Sequence, residues 1–70
     1  MEVDTKTIKV RGMTCSACVD AVTRAVKSIP GVTEAKVDLR SGTATVKFDP
    51  FHATEADFRE AIQEEGYETP

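Results

Sequence analysis

Gly12-Met13-Thr14-Cys15-Ser16-Ala17-Cys18 holds both cysteines of this 70-residue chain and marks the point where the residue pattern changes period. Upstream, residues 5–10 alternate, with Ile8 and Val10 on one face, which predicts a strand. Gly12 breaks the alternation. From about Ser16 the apolar residues Cys18, Val22, Ala25, Val26 and Ile29 fall on one helical stripe. Thr14 or Ser16 is placed to cap that helix with a side-chain oxygen, and Pro30-Gly31 stops it.

Working outward, Ala35, Val37 and Leu39 alternate with Glu34, Lys36 and Asp38. After a turn at Arg40-Ser41-Gly42, Ala44, Val46 and Phe48 alternate with Thr45, Lys47 and Asp49. These read as two half-buried strands in a hairpin, the second ended by Pro50. Thr54 with Asp57 three residues on forms a capping box for a second helix, whose inner face is Phe58, Ala61 and Ile62 and whose left-handed end is Gly66. Only residues 67–70 remain for a short last strand. The order βαββαβ predicts an α+β fold, a ferredoxin-like sandwich with one antiparallel sheet and both helices on one face. Phe48 and Phe58 belong to the core by periodicity, while Phe51 is either core or partly exposed. Residues 1–70 read as one domain.

A chain this short buries only about 60% of its unfolded surface. A bridge between Cys15 and Cys18 would close too short a loop to staple it effectively. The pair is therefore expected to exist for chemistry. The first residues, 1–6, are polar and lack the apolar core of a secretion signal, and no stretch approaches the ~18 apolar residues of a membrane span. The expected setting is a reducing cytoplasm, either as a free protein or as the cytoplasmic part of a larger membrane protein. A net charge of -3 argues against nucleic acid as a partner. Lys6, Lys9, Arg11, Arg24 and Lys27 lie early, and Glu55, Asp57, Glu60, Glu64 and Glu65 lie late. These are either solvated faces or a polarised surface that orients a partner.

Thiolates are soft ligands that select thiophilic metals. With the helix starting near Ser16, Cys15 sits at its mouth and Cys18 in its first turn, where three-apart positions place Cβ atoms about 5–6 Å apart. Two sulfurs on one linear two-coordinate ion, with bonds near the ~2.3 Å of zinc thiolates, require roughly 4–5 Å between them. Copper(I) accepts that geometry, and so does mercury(II). The helix N-terminus lowers thiol pKa values and offsets the net negative charge of two thiolates with one monovalent cation. An open two-ligand site is suited to handing metal to a third sulfur. Met13 is either a third, thioether ligand or, by preference, an adaptable core filler that tethers the loop. His52 reads as a surface loop residue rather than a ligand. Structural zinc would need four closed ligands, and a thiol–disulfide enzyme would need a longer fold of thioredoxin type. No paired acids, phosphate-cradling loop or Ser-His-Asp set is present, so an enzyme is not expected.

The stretch 12–18 resembles the GMTCxxC signature of heavy-metal-associated domains. The similarity continues through Pro30-Gly31-Val32, Gly42, Val46-Lys47-Phe48-Asp49 and Gly66-Tyr67. That family includes copper(I) metallochaperones, the N-terminal domains of copper-transporting P-type ATPases, and mercury-handling domains. The resemblance implies that Cys15 and Cys18 are the metal ligands, with Met13, Thr14 and Tyr67 around them. It also implies that Tyr67 lies beside the site, as in bacterial-type copper members, where its phenol either hydrogen-bonds toward a thiolate or packs across the sheet end. The implied cargo is copper(I), with mercury(II) the alternative. The implied partner is a copper-transporting ATPase or a copper chaperone that docks transiently. The apo form is expected to be a monomer, and metal to be able to bridge two copies through four thiolates.

Overall fold

A computed structural model describes residues 3–70; Met1 and Glu2, at the start of the polar N-terminal stretch, lie outside the described residues. The elements are β1 (Asp4–Lys9), α1 (Ser16–Lys27), β2 (Val32–Asp38), β3 (Thr43–Phe48) and α2 (Glu55–Glu64). β3 is central and pairs antiparallel with both neighbours, in the order β1-β3-β2. Directly paired residues share a face. Ile8, Ala44 and Val37 therefore line one side together, as do Phe48 and Val32, while Thr7, Thr45 and Lys36 line the other. α1 packs on β2 and on α2, and the apolar side of the sheet meets the helix stripes in one cluster. That cluster is Ile8, Val10, Val22, Val26, Ala44, Val46, Phe48, Ala53, Phe58 and Ile62.

Burying side chains of the Val, Ile and Phe class contributes about 1.5–3 kcal/mol each. The Phe48 and Phe58 rings add an edge-on contact at 4.8 Å between centroids, of a kind that contributes about 0.5–1.5 kcal/mol beyond area. The expected capping box is formed: the Asp57 N–H donates to Thr54 Oγ1 at 3.4 Å, and the Thr54 N–H donates to Asp57 Oδ2 at 3.0 Å.

Four expectations are corrected. The last strand reduces to a single bridge between Arg11 and Glu68, because the Gly66 turn and Pro70 leave too few residues to extend it. Leu39 is exposed rather than inward, since β2 ends at Asp38 and the turn begins there. Phe51 is 88% exposed. It is lifted outward by a turn in which its N–H donates to Asp49 Oδ1 at 3.0 Å while His52 Nδ1 lies 2.9 Å from Asp49 Oδ2. The Phe51 amide, with help from His52, holds the Asp49 carboxyl below the usual range. Finally, neither Thr14 nor Ser16 caps α1; the N-cap is Cys15, with no side-chain cap hydrogen bond.

The α1–β2 turn is braced against this same loop. Gly31 has φ +97, accepts from the Asp49 N–H at 2.8 Å, and would bring a Cβ to 2.6 Å from His52 Cβ. Gly31→Ala is expected to destabilise the protein by about 1–3 kcal/mol, through left-handed strain and this clash. A urea unfolding curve checks this, and an unchanged midpoint would contradict it.

Candidate metal site

α1 is held in the core by Val22 and Val26, which fixes its N-terminus at the end of the sheet where β1 stops. The intervening loop is tied down twice. The Val10 N–H donates to the Gly42 carbonyl at 2.7 Å, and Arg11 exchanges two backbone bonds with Glu68, at 2.8 and 3.1 Å. Met13 packs half-buried against the core. The chain then enters α1 through extended backbone at Cys15, whose carbonyl accepts from the N–H groups of Cys18 and Val19.

This geometry brings the two thiols together at the surface. Cys15 is exposed and Cys18 half-buried, both as free thiols, and their Sγ atoms lie 3.4 Å apart. That is closer than the roughly 4–5 Å derived for a linear pair, so a bound two-coordinate ion would have to spread them, and exposed Cys15 is the side chain free to move. Thr14 Oγ1 lies 4.0 Å from Cys18 Sγ. Among the described residues no group of three His, Cys, Asp or Glu side chains is disposed to hold a metal. His52 is engaged with Asp49 in the β3–α2 loop. The two neighbouring sulfurs are soft donors, a pair whose chemistry suits a soft ion of low coordination number.

Tyr67 reaches this site from α2. Gly66, at φ +93, ends the helix in a Schellman motif: its N–H donates to the Gln63 carbonyl at 2.9 Å and the Tyr67 N–H to the Ile62 carbonyl at 3.4 Å. The chain reverses, and Tyr67 packs on the core beside Gly12, where a Cβ would meet the Tyr67 ring at 3.4 Å. Hydrogen bonding from the Tyr67 phenol, then from the Thr14 backbone and from Cys15, pulls the Cys18 pKa from 9.0 down to about 6. The same bond to Cys18 raises the Tyr67 pKa. Donors to a thiolate stabilise the charged form, so these bonds favour the anion at Cys18. Of the two alternatives for Tyr67, the packing against the core is the one the structure places directly. Sequence reasoning missed how the tail is held. Arg59 Nη1 donates to the Thr69 carbonyl at 2.9 Å and Gln63 Nε2 to Thr69 Oγ1 at 2.8 Å. Nothing in the residue pattern of an exposed helix face announces such bonds.

The profile of the heavy-metal-associated domain matches residues 7–68. The copper chaperone CopZ of Staphylococcus saprophyticus is 39% identical over 64 residues, covering 91% of this chain and 94% of that protein. The copper-transporting ATPase HMA5 of Oryza sativa subsp. japonica is 45% identical over 60 residues, covering 86% of this chain and 6% of that protein. The chain thus spans a small fraction of the transporting ATPases it matches and nearly all of the chaperones. In three dimensions it is similar to the N-terminal domain of a potential copper-translocating P-type ATPase from Bacillus subtilis, solved in the Cu(I)-loaded state. There the TM-score is 0.91 at 31% identity, with 96% of this chain and 84% of that one covered.

Tyr67→Phe is expected to move the Cys18 pKa upward from about 6 toward 9.0. The site-resolved readout is the Cys18 Cβ chemical shift against pH in the reduced protein, and an unmoved midpoint would contradict it. Since the fold depresses this pKa, the thiolate's contribution to apo stability is complete above about 9 and is lost as pH falls through about 6.

Proposed function

Because this chain belongs to the heavy-metal-associated domain family, we propose that residues 1–70 form one module that binds copper(I) through Cys15 and Cys18 and passes it to or from a partner by thiol ligand exchange. The observation that carries the reading is the pair of free thiols 3.4 Å apart at an uncapped helix N-terminus, one of them acidified to about 6. Exposed Cys15 makes the first contact with an incoming donor, and half-buried Cys18 completes the site. A monovalent ion between two thiolates leaves one negative charge, which the α1 dipole end and the Tyr67 phenol stabilise. A third thiolate can then approach from solvent, so the ion passes through three-coordinate arrangements without release.

The curated relatives named above are copper chaperones and copper-transporting ATPases, which favours copper over mercury(II) as the cargo. A copper chaperone or a copper-transporting ATPase is the matching partner, met in the cytoplasm. Among the described residues no helix is long and apolar enough to cross a membrane. Arg11, tied to Glu68 at 3.8 Å, and the acidic surface of α2 set which partner docks. The apo protein is a monomer in this reading, and loaded copies can share an ion through four thiolates. The protein acts as a carrier, without catalysis.

Cys15→Ser and Cys18→Ser are each expected to abolish tight one-to-one copper(I) binding in a competition titration, by at least about 100-fold, while far-ultraviolet circular dichroism shows the fold intact. Undiminished affinity in either variant would remove this reading.

A further inference from the structure

β1 is an outer strand of the sheet, and its far edge is open. The Val10 N–H donates to the Gly42 carbonyl on the β3 side, whereas the Arg11 N–H and carbonyl both turn the other way, to Glu68. Backbone groups along an antiparallel strand alternate between its two sides. Thr5, Thr7 and Lys9 therefore turn their N–H and carbonyl groups away from β3, as Arg11 does, and all three residues are exposed. Among the described residues the one rung on that edge is Arg11–Glu68. In its antiparallel register the next rung would pair Lys9 with Pro70, which has no N–H to give. Arg59 Nη1 and Gln63 Nε2 meanwhile hold Thr69 against α2, at 2.9 and 2.8 Å. The tail starts a ladder on this edge and then leaves it bare along Thr5, Thr7 and Lys9.

We propose that this edge of β1 takes an acidic, extended segment of a partner protein as an added antiparallel strand. Main-chain bonds to the free N–H and carbonyl groups supply the affinity, and side chains opposite β1 supply the choice of partner. The rung already present shows what the edge accepts. Glu68 exchanges both backbone bonds with Arg11, and its carboxylate lies 3.8 Å from the Arg11 guanidinium. Farther along, an incoming strand meets Lys9 on the outer face, which it shares with Thr43, and Lys6 on the helix side, which it shares with Val46. Acidic residues opposite these two lysines, and β-branched residues opposite Thr5, gain favourable cross-strand contacts. A second copy fits less well. The register that joins Thr5, Thr7 and Lys9 of two β1 strands sets Lys9 opposite Thr5 and Lys6 opposite Ile8, and offers neither lysine an acid. This docking uses neither cysteine, so it stands apart from the copper-carrier reading and leaves the thiols unengaged.

The probe is a blocked peptide, Glu-Val-Thr-Glu-Val, whose first residue is matched to Lys9 and whose last is matched to Thr5. It is titrated into the reduced, metal-free protein while amide chemical shifts and amide exchange are followed. The shifts are expected to centre on Thr5, Thr7 and Lys9, with slower exchange at those amides and half-saturation near about 1 mM. The same peptide with Lys in place of both Glu residues is expected to bind at least about threefold more weakly. Lys9→Glu is expected to weaken binding of the acidic peptide about three- to tenfold. Thr7→Pro removes one outward N–H and spares the β3 ladder, and is expected to weaken it at least about threefold. Far-ultraviolet circular dichroism checks that both variants fold. Absence of saturable shifts at β1 up to about 10 mM peptide, equal binding of the acidic and basic peptides, or shifts centred on another element would overturn the proposal. Dimerisation of the metal-free protein alone in sedimentation, lost in Thr7→Pro, would overturn it too and assign the edge to a second copy. Every one of these readouts is taken without metal, so a failure to bind copper(I) sinks the carrier reading and leaves this one to its own data.

Discussion

The structure depends on a helix that begins without an oxygen cap. α1 starts at Cys15, whose side chain caps nothing, so the first N–H groups of the helix, which have no intrahelical partners, receive no side-chain oxygen. Giving up a Ser, Thr, Asp or Asn cap costs about 0.5–2 kcal/mol. Val22 and Val26, both fully buried on the same helix, contribute about 1.5–3 kcal/mol each and outweigh that loss. Core packing thus lets the helix end be left without a side-chain cap, with its positive dipole end beside the two cysteines. The absence of acidic residues in the first turn of α1 keeps that positive end free for them.

A second helix end completes the arrangement. α2 reaches the same pole by its C-terminus, where Gly66 in left-handed geometry turns the chain and sends Tyr67 back toward Cys18. The α2 end lacks basic residues in its last turn and carries Glu64, with Glu65 following, so it gains nothing from its own dipole. Its stability comes from Phe58 and Ile62 in the core and from the capping box at its start. The site is therefore assembled where two helix ends meet, α1 without a side-chain cap and α2 closed by its Gly66 turn, each anchored in the core farther along.

Much of this was legible in the sequence because the informative residues act locally. The period change at Gly12, the Thr54–Asp57 capping box and Gly66 each announce their geometry within a few positions, and the alternation in residues 35–48 fixes which side of the hairpin faces inward. Cys15 and Cys18 were legible for the same reason, since three-residue spacing at a helix start leaves little freedom. What escaped notice depends on partners distant in the chain. Leu39 keeps the alternation but falls one residue past the last rung of β2, where the turn decides its direction. Phe51 is apolar, yet the Asp49 side chain builds a turn that lifts it into solvent. The last strand looked possible until the Gly66 reversal and the Arg59 and Gln63 bonds drew the tail onto α2.

β1 runs toward the thiols and spans six residues, or roughly 20 Å of extended chain, in a molecule 35 Å along its longest axis. Its amino end consequently emerges at the pole remote from Cys15 and Cys18. Anything joined there, whether a flexible leash or a neighbouring domain, leaves the sulfur-bearing tip pointing away from the attachment. A link at that pole therefore keeps the cysteine-bearing end unobstructed by whatever the chain is joined to.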